Sequence, residues 1–227
     1  MQLALPFSLS RPVVEIHHRL LAAYGPPPEW VRLDPVSQLI LSLLGSRTRG
    51  DISKMVFNAL CERFSDWESL RDAPLAAMEP LLRPVTFAEK KVVWLPAALR
   101  SITTRRGRLD LIFLVDWPVE AARGWLETLP GIGPKVSAAI VNFSTLRMRA
   151  LVVDTHHLRV AKRLNLLPPA TDAAVAHRLL MRQLPTDWTA DDLDMHHTLM
   201  KLHGRRLCRH AAPICSPCPL RDLCAAR

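Results

Sequence analysis

The stretch Leu126-Glu127-Thr128-Leu129-Pro130-Gly131-Ile132-Gly133-Pro134-Lys135-Val136-Ser137-Ala138-Ala139-Ile140 leaves the backbone few choices. A helix carrying Trp125 and Leu126 runs into Pro130 and stops, because proline cannot continue the ladder of hydrogen bonds. Gly131 and Gly133 take positive φ at no steric cost, so a tight reversal is expected there. Pro134 suits the first turn of a new helix, where its missing N–H is an orphan in any case. An alanine-rich helix follows. The expected product is two helices joined by a hairpin of bare backbone. The N–H groups of Leu129, Gly131 and Gly133 are then placed to hold an anion, and Lys135 stands at the same helix end. Taken alone, the turn fits an ordinary αα-corner as well as a nucleic-acid contact.

Helical periodicity governs the rest of the chain. Val13, Val14, Ile16, Leu20 and Leu21 form a stripe over 13–24, and Tyr24-Gly25-Pro26-Pro27-Pro28 ends it. The segment 35–45 is apolar on most faces and belongs inside a bundle. Gly45-Ser46-Arg47-Thr48-Arg49-Gly50-Asp51 breaks it, with Asp51 expected to cap the next helix. Further helices are predicted over 51–64, 74–82, 87–101, 118–128, 134–145, 155–163, 171–183 and 190–204. Leu111-Ile112-Phe113-Leu114-Val115 reads as a strand or a helical turn. The fold class is therefore all-α. Joints are expected at the proline run 26–28 and in the loop 144–151.

Composition narrows the partners. Of 227 residues 49% are hydrophobic, which supports a packed core and excludes a disordered chain. A net charge of +9 favours an anionic partner such as nucleic acid. No apolar run reaches 18 residues, so no membrane span is expected. Met1-Gln2-Leu3-Ala4-Leu5-Pro6 lacks a basic segment before its apolar piece, which suggests a cytoplasmic, reducing setting.

Two further patterns lie downstream. Asp154 stands in Val152-Val153-Asp154-Thr155-His156-His157-Leu158-Arg159-Val160 and reads locally as a helix cap. Cys208, Cys215, Cys218 and Cys224 are spaced C-x6-C-x2-C-x5-C. Four thiols so close imply one metal or cluster, and a reducing compartment disfavours disulfides. Spacing alone leaves zinc and an iron–sulfur cluster both open. Cys61 reads as a small core residue.

Together these segments resemble the endonuclease III family of DNA glycosylases. Leu129–Lys135 follows the family's L-P-G-x-G-x-K hairpin, Val153–Val160 its V-D-T-H-x-x-R-V motif, and the cysteines its [4Fe-4S] loop. The lead-in His196–Leu207 is similar too, and the resemblance spans about residues 30 to 225. It implies a helix-hairpin-helix glycosylase fold: a six-helix barrel over 29–147, and a cluster domain from 1–28 and 148–227, with DNA in the cleft. It implies catalytic roles for Lys135 and Asp154, and a [4Fe-4S] cluster on Cys208, Cys215, Cys218 and Cys224. The implied partner is double-stranded DNA containing a damaged base or abasic site, bound by a monomer. The implied activity is a base-excision glycosylase with AP lyase activity on oxidised pyrimidines. The alternatives are a non-catalytic lesion-binding relative and a mismatch or adenine glycosylase.

The chain departs from that family at two DNA-facing loops. Arg47 stands where a gap-filling glutamine is usual, and a guanidinium there would favour guanine acceptors on the orphaned base. Val85-Thr86-Phe87 lacks the leucine of the second wedge. Arg49, Arg205, Arg206 and Arg209 are further basic candidates, and His156 is a structural neighbour of the aspartate.

Overall fold

A computed structural model of the chain describes residues 12–226; the opening hexapeptide read for a targeting signal lies outside them. Eleven α-helices and no strand occur among the described residues. The described residues form two compact units, one of Trp30–Val152 and the other of the residues up to Glu29 together with those from Val153. No helix among them is long and apolar enough to cross a membrane.

The larger unit holds α2 (Pro35–Leu44), α3 (Gly50–Arg63), α4 (Trp67–Asp72), α5 (Leu75–Leu82), α6 (Ala88–Arg106), α7 (Val119–Glu127) and α8 (Pro134–Phe143). Asp34 starts α2 by accepting from Val36 N at 2.9 Å and Ser37 N at 3.0 Å. Nearly every α2 residue is then buried, and the helix packs against α3, α6 and α8. Burial on all sides explains its apolar sequence. The short α4 was not anticipated: six residues give little periodicity, although Asp66 caps it from Ser69 N at 2.7 Å. The apolar run expected as strand or turn is a 3-10 helix, Ile112–Asp116.

Three expectations are corrected. Asp51 does not cap α3, which starts one residue earlier after Arg49; its carboxylate pairs with the Arg49 guanidinium at 2.6 Å instead. Cys61 is exposed, because α3 turns Val56, Phe57 and Leu60 inward and the next position falls outside that stripe. The loop 144–151 belongs to the larger unit. Thr145 N donates to Leu33 O at 3.0 Å and Met148 N to Val141 O at 2.8 Å, so the transition waits until Val152.

The second unit holds α1 (Pro12–Tyr24), α9 (Thr155–Arg163), α10 (Ala173–Met181) and α11 (Ala190–Arg206). α11 packs on α1 and α9 and starts with a capping box between Thr189 and Asp192. Its core is unusual in chemistry. His17, His157, His196 and His197 crowd together with Trp188; the His157 and His197 rings stack at 5.9 Å, and His157 meets His196 edge-on at 5.4 Å. Burial holds the His157 imidazole at about 4, against the opposing pull of Asp154, and pushes His196 well below its ordinary value. Both ring nitrogens of His157 lack a partner.

His157 and His196, pulled down by burial, are neutral in the fold and protonate in the unfolded chain, so the unfolded state binds more protons below pH 6.5. Stability is fully present above that value and is lost as pH falls toward about 4, by on the order of 3 kcal/mol for His157 alone. Denaturant unfolding at the two ends of this window measures the slope. His157→Leu should flatten it; an unchanged slope would contradict the assignment.

Candidate active site

The hairpin is built as a sequence of tightening turns. After α7, Thr128 N donates to Trp125 O at 3.2 Å and Leu129 N to Leu126 O at 3.0 Å. Ile132 N then donates to Leu129 O at 3.2 Å. The side chains of Leu129 and Ile132 are buried and pin the turn to the core. Gly131 sits at φ +77°, and a Cβ there would lie 3.0 Å from the Trp94 ring, so both backbone and space demand glycine.

Two expectations change. The Leu129 N–H is used inside the turn and is unavailable to an anion. Gly133 does not adopt positive φ: at φ −109° and ψ −178° it is extended, and nothing lies within 4 Å of where a Cβ would stand. What Gly133 contributes is an uncovered approach. The N–H groups of Gly131 and Gly133 find no backbone acceptor among the described residues, and no side chain caps α8. The α8 N-terminus is thus an open, electropositive end.

Behind this end runs a network that sequence reasoning missed. Arg123 is buried and pairs with Glu120 at 2.9 Å and Glu127 at 3.5 Å. Ser137 Oγ lies 2.6 Å from Glu127 Oε1 and 3.0 Å from Pro134 O. The signal was present in the i, i+3 and i+4 spacing of Glu120, Arg123 and Glu127, but on an exposed helix such pairs are common and weak. Lys135, the second residue of α8, is half-buried.

Asp154 belongs to the other unit, where it caps α9 by accepting from His156 N at 2.9 Å and His157 N at 2.8 Å. Burial alone would raise its pKa. The charges of His197 and Lys201, with the His157 N–H, outweigh that and hold the carboxyl well below the usual carboxylate range. It is therefore an ionised carboxylate fixed by a helix N-terminus. His156 contacts Arg159 at 3.2 Å, in keeping with a structural place.

The same helix anchors the cysteines at its other end. Arg159 Nε donates to Cys208 O at 3.0 Å, and Arg163 donates to Arg209 O at 2.7 Å, His210 O at 2.9 Å and Cys208 Sγ at 3.3 Å. Cys208, Cys215, Cys218 and Cys224 line one cavity of about 220 Å³, walled also by Val160, Leu164, Leu207 and Ile214. Four soft sulfur donors around an apolar space suit an iron–sulfur cluster.

Arg47 and Arg49 are exposed on the turn after α2, and Arg205, Arg206 and Arg209 on the other unit. Arg47 has φ +55°, and its guanidinium lies 5.8 Å from the centre of the exposed Phe87 ring.

Residues 40–185 match the model of the HhH-GPD superfamily base excision DNA repair protein. The chain belongs to this superfamily. A candidate DNA glycosylase of Arabidopsis thaliana is 29% identical over 180 residues, spanning 79% of this chain and 57% of that protein. Endonuclease III of Synechocystis is 28% identical over 191 residues, spanning 84% of this chain and 80% of that protein. The fold matches that of a trapped endonuclease III–DNA covalent intermediate with TM-score 0.79 at 23% identity, over 95% of each chain. The resemblance to the endonuclease III family thus extends from the motifs to this HhH-GPD chain's whole helical architecture.

Gly131→Ala tests the hairpin geometry. The left-handed backbone costs about 1–2 kcal/mol for a non-glycine residue, and the Cβ must displace Trp94. Thermal unfolding should show a destabilised protein whose DNA affinity falls further than that loss of folded protein explains. Gly133→Ala should fold normally and lose affinity alone.

Proposed function

We propose that this HhH-GPD protein is a base-excision DNA glycosylase with abasic-site lyase activity, which removes oxidised pyrimidines from duplex DNA and nicks the strand by β-elimination. The observation that carries this reading is Lys135 on the first turn of α8, directly after an open N-terminus bounded by Gly131 and Gly133. A backbone phosphate held by those N–H groups brings its neighbouring sugar to an amine. The net charge of +9 supports a phosphate-dominated interface with duplex DNA.

In this reading the damaged nucleotide is flipped out of the stack. Lys135 Nζ, as a neutral amine, attacks C1′. The glycosidic bond breaks, and the base leaves with the electron pair and gains a proton. The amine loses a proton and O4′ gains one as the sugar ring opens, leaving an imine between C1′ and Nζ. Loss of a proton from C2′ then drives out the 3′ phosphate as the C3′–O bond breaks, and water returns the free lysine. The Asp154 carboxylate offers fixed negative charge to the cation that develops on the sugar. Cys208, Cys215, Cys218 and Cys224 would hold a [4Fe-4S] cluster. Bound there, it would cross-link a loop that has little core of its own.

Borohydride trapping on abasic duplex tests the chemistry. Wild-type protein should give a covalent adduct, and Lys135→Gln should abolish it while still binding DNA. Asp154→Asn should slow base removal by on the order of 100- to 1000-fold, the usual cost of losing one preorganised electrostatic group. An undiminished adduct from Lys135→Gln would assign the nucleophile to a different amine.

Metal analysis of protein purified without oxygen tests the cluster separately. Iron and sulfide with broad visible absorbance are expected, and Cys208→Ala should lose both. Zinc without iron would overturn it.

A further inference from the structure

Lys91 is a lysine where a core residue belongs. It lies on α6 with 1% of its surface exposed, among the most buried side chains of the chain. Its ammonium is nonetheless fully engaged: Nζ donates to Leu44 O at 2.7 Å, Ser46 O at 2.8 Å and Thr48 Oγ1 at 3.0 Å. Three donors meet three acceptors, which is the capacity of an ammonium group. The first two acceptors are carbonyls left open where α2 ends, and the third is a side chain of the same turn. Lys91 is thus a C-terminal cap of α2 delivered from another helix.

The turn it holds is the one that carries Arg47. Thr48 Oγ1 also accepts the Thr86 N–H at 3.1 Å, so the hydroxyl joins the 45–48 turn to the loop before α6. That second loop presents Phe87. Arg47 and Phe87 are both non-glycine residues at positive φ, +55° and +59°, a conformation that must be imposed by their surroundings. Both side chains are exposed, with the Arg47 guanidinium 5.8 Å from the centre of the Phe87 ring and Lys90 Nζ 5.6 Å from the same centre. The two loops therefore offer a basic, aromatic surface with no covering element of its own unit.

We propose that Lys91 is a positioning residue that locks the Arg47 turn and the Phe87 loop into one rigid wedge for a flipped nucleotide. The proposal rests on the glycosylase reading above. A cation suits the post because it serves three acceptors at one point; an apolar residue would leave the Leu44 carbonyl without the ammonium and Thr48 Oγ1 with the Thr86 N–H alone as donor. Burial pulls the Lys91 ammonium down to about 8, with Lys135 adding to that effect, so it remains charged at neutral pH. The other charged groups on the two loops and the first turn of α6 are Arg47, Arg49, Arg83, Glu89 and Lys90, all of them exposed to solvent.

The test uses a duplex with a tetrahydrofuran abasic-site analogue and 2-aminopurine opposite it, which reports wedge insertion without any chemistry. Wild-type protein should change the fluorescence on binding. Lys91→Met keeps the stem and removes the donor. Thr48→Val removes the shared acceptor without stranding a charge, and serves if Lys91→Met does not fold. Each should keep most of the DNA affinity but lose most of the fluorescence change, as should Arg47→Ala. Excision of a damaged base should slow by on the order of 100-fold, the cost of about 1 Å of misplacement. Lys91→Arg, which keeps the charge, should restore part of the signal. Borohydride trapping on a single-stranded abasic site needs no wedge and should be spared. Wild-type fluorescence and excision in both Lys91→Met and Thr48→Val would overturn the positioning role. Absence of any wild-type adduct would instead remove the glycosylase reading.

Discussion

The larger unit depends on the close approach of the Gly131 backbone to the Trp94 ring. Any side chain at Gly131 would meet that ring at 3.0 Å. The contact fixes where α7 ends and where α8 begins, and hence where Lys135 emerges. Ser137 Oγ, which donates to Glu127 Oε1 at 2.6 Å, and Arg123, which reaches Pro134 O at 3.5 Å, then tie α7 to the first turn of α8. Removing Glu127 would leave the buried Arg123 guanidinium short of a partner. These contacts buttress a turn whose outer side must stay bare.

Two helix N-termini are treated in opposite ways. α8 starts at Gly133 with no capping side chain, and α9 starts at Asp154 with its carboxylate closing the end. An uncapped end keeps its N–H groups for an external anion. A capped end holds a negative charge in place, at the cost of burying it, and the surrounding cations keep it ionised. The same dipole thus serves one helix as a docking point and the other as a clamp. α9 extends the economy at its far end, where Arg159 and Arg163 grip the backbone of the cysteine loop.

Similarity across the superfamily separates the scaffold from its choice of base. The fold matches a thermostable thymine-DNA glycosylase with TM-score 0.73 at 17% identity, as well as endonuclease III. In this chain the loops of Arg47 and Phe87 have positive φ values and are held from beneath by Lys91 and Thr48.

The sequence by itself determined most of the helical order. Apolar spacing, Pro130, Pro134 and the run 26–28 are local signals, and local sterics act on them directly. The hairpin, the capping aspartate and the cysteine cluster were legible for the same reason. The sequence misplaced what side-chain pairing and packing decide. Cys61 looked internal because periodicity gives a stripe's width poorly, and Asp51 looked like a cap until Arg49 drew it outward. Nothing local marks Lys91 as buried, since its three acceptors lie more than forty positions away. Gly133 seemed to need positive φ, yet the tertiary turn asked that of Gly131 alone, because Trp94 stands over one glycine and leaves the other open. Packing decided these points: a buried polar group is stable only where distant segments supply its partners.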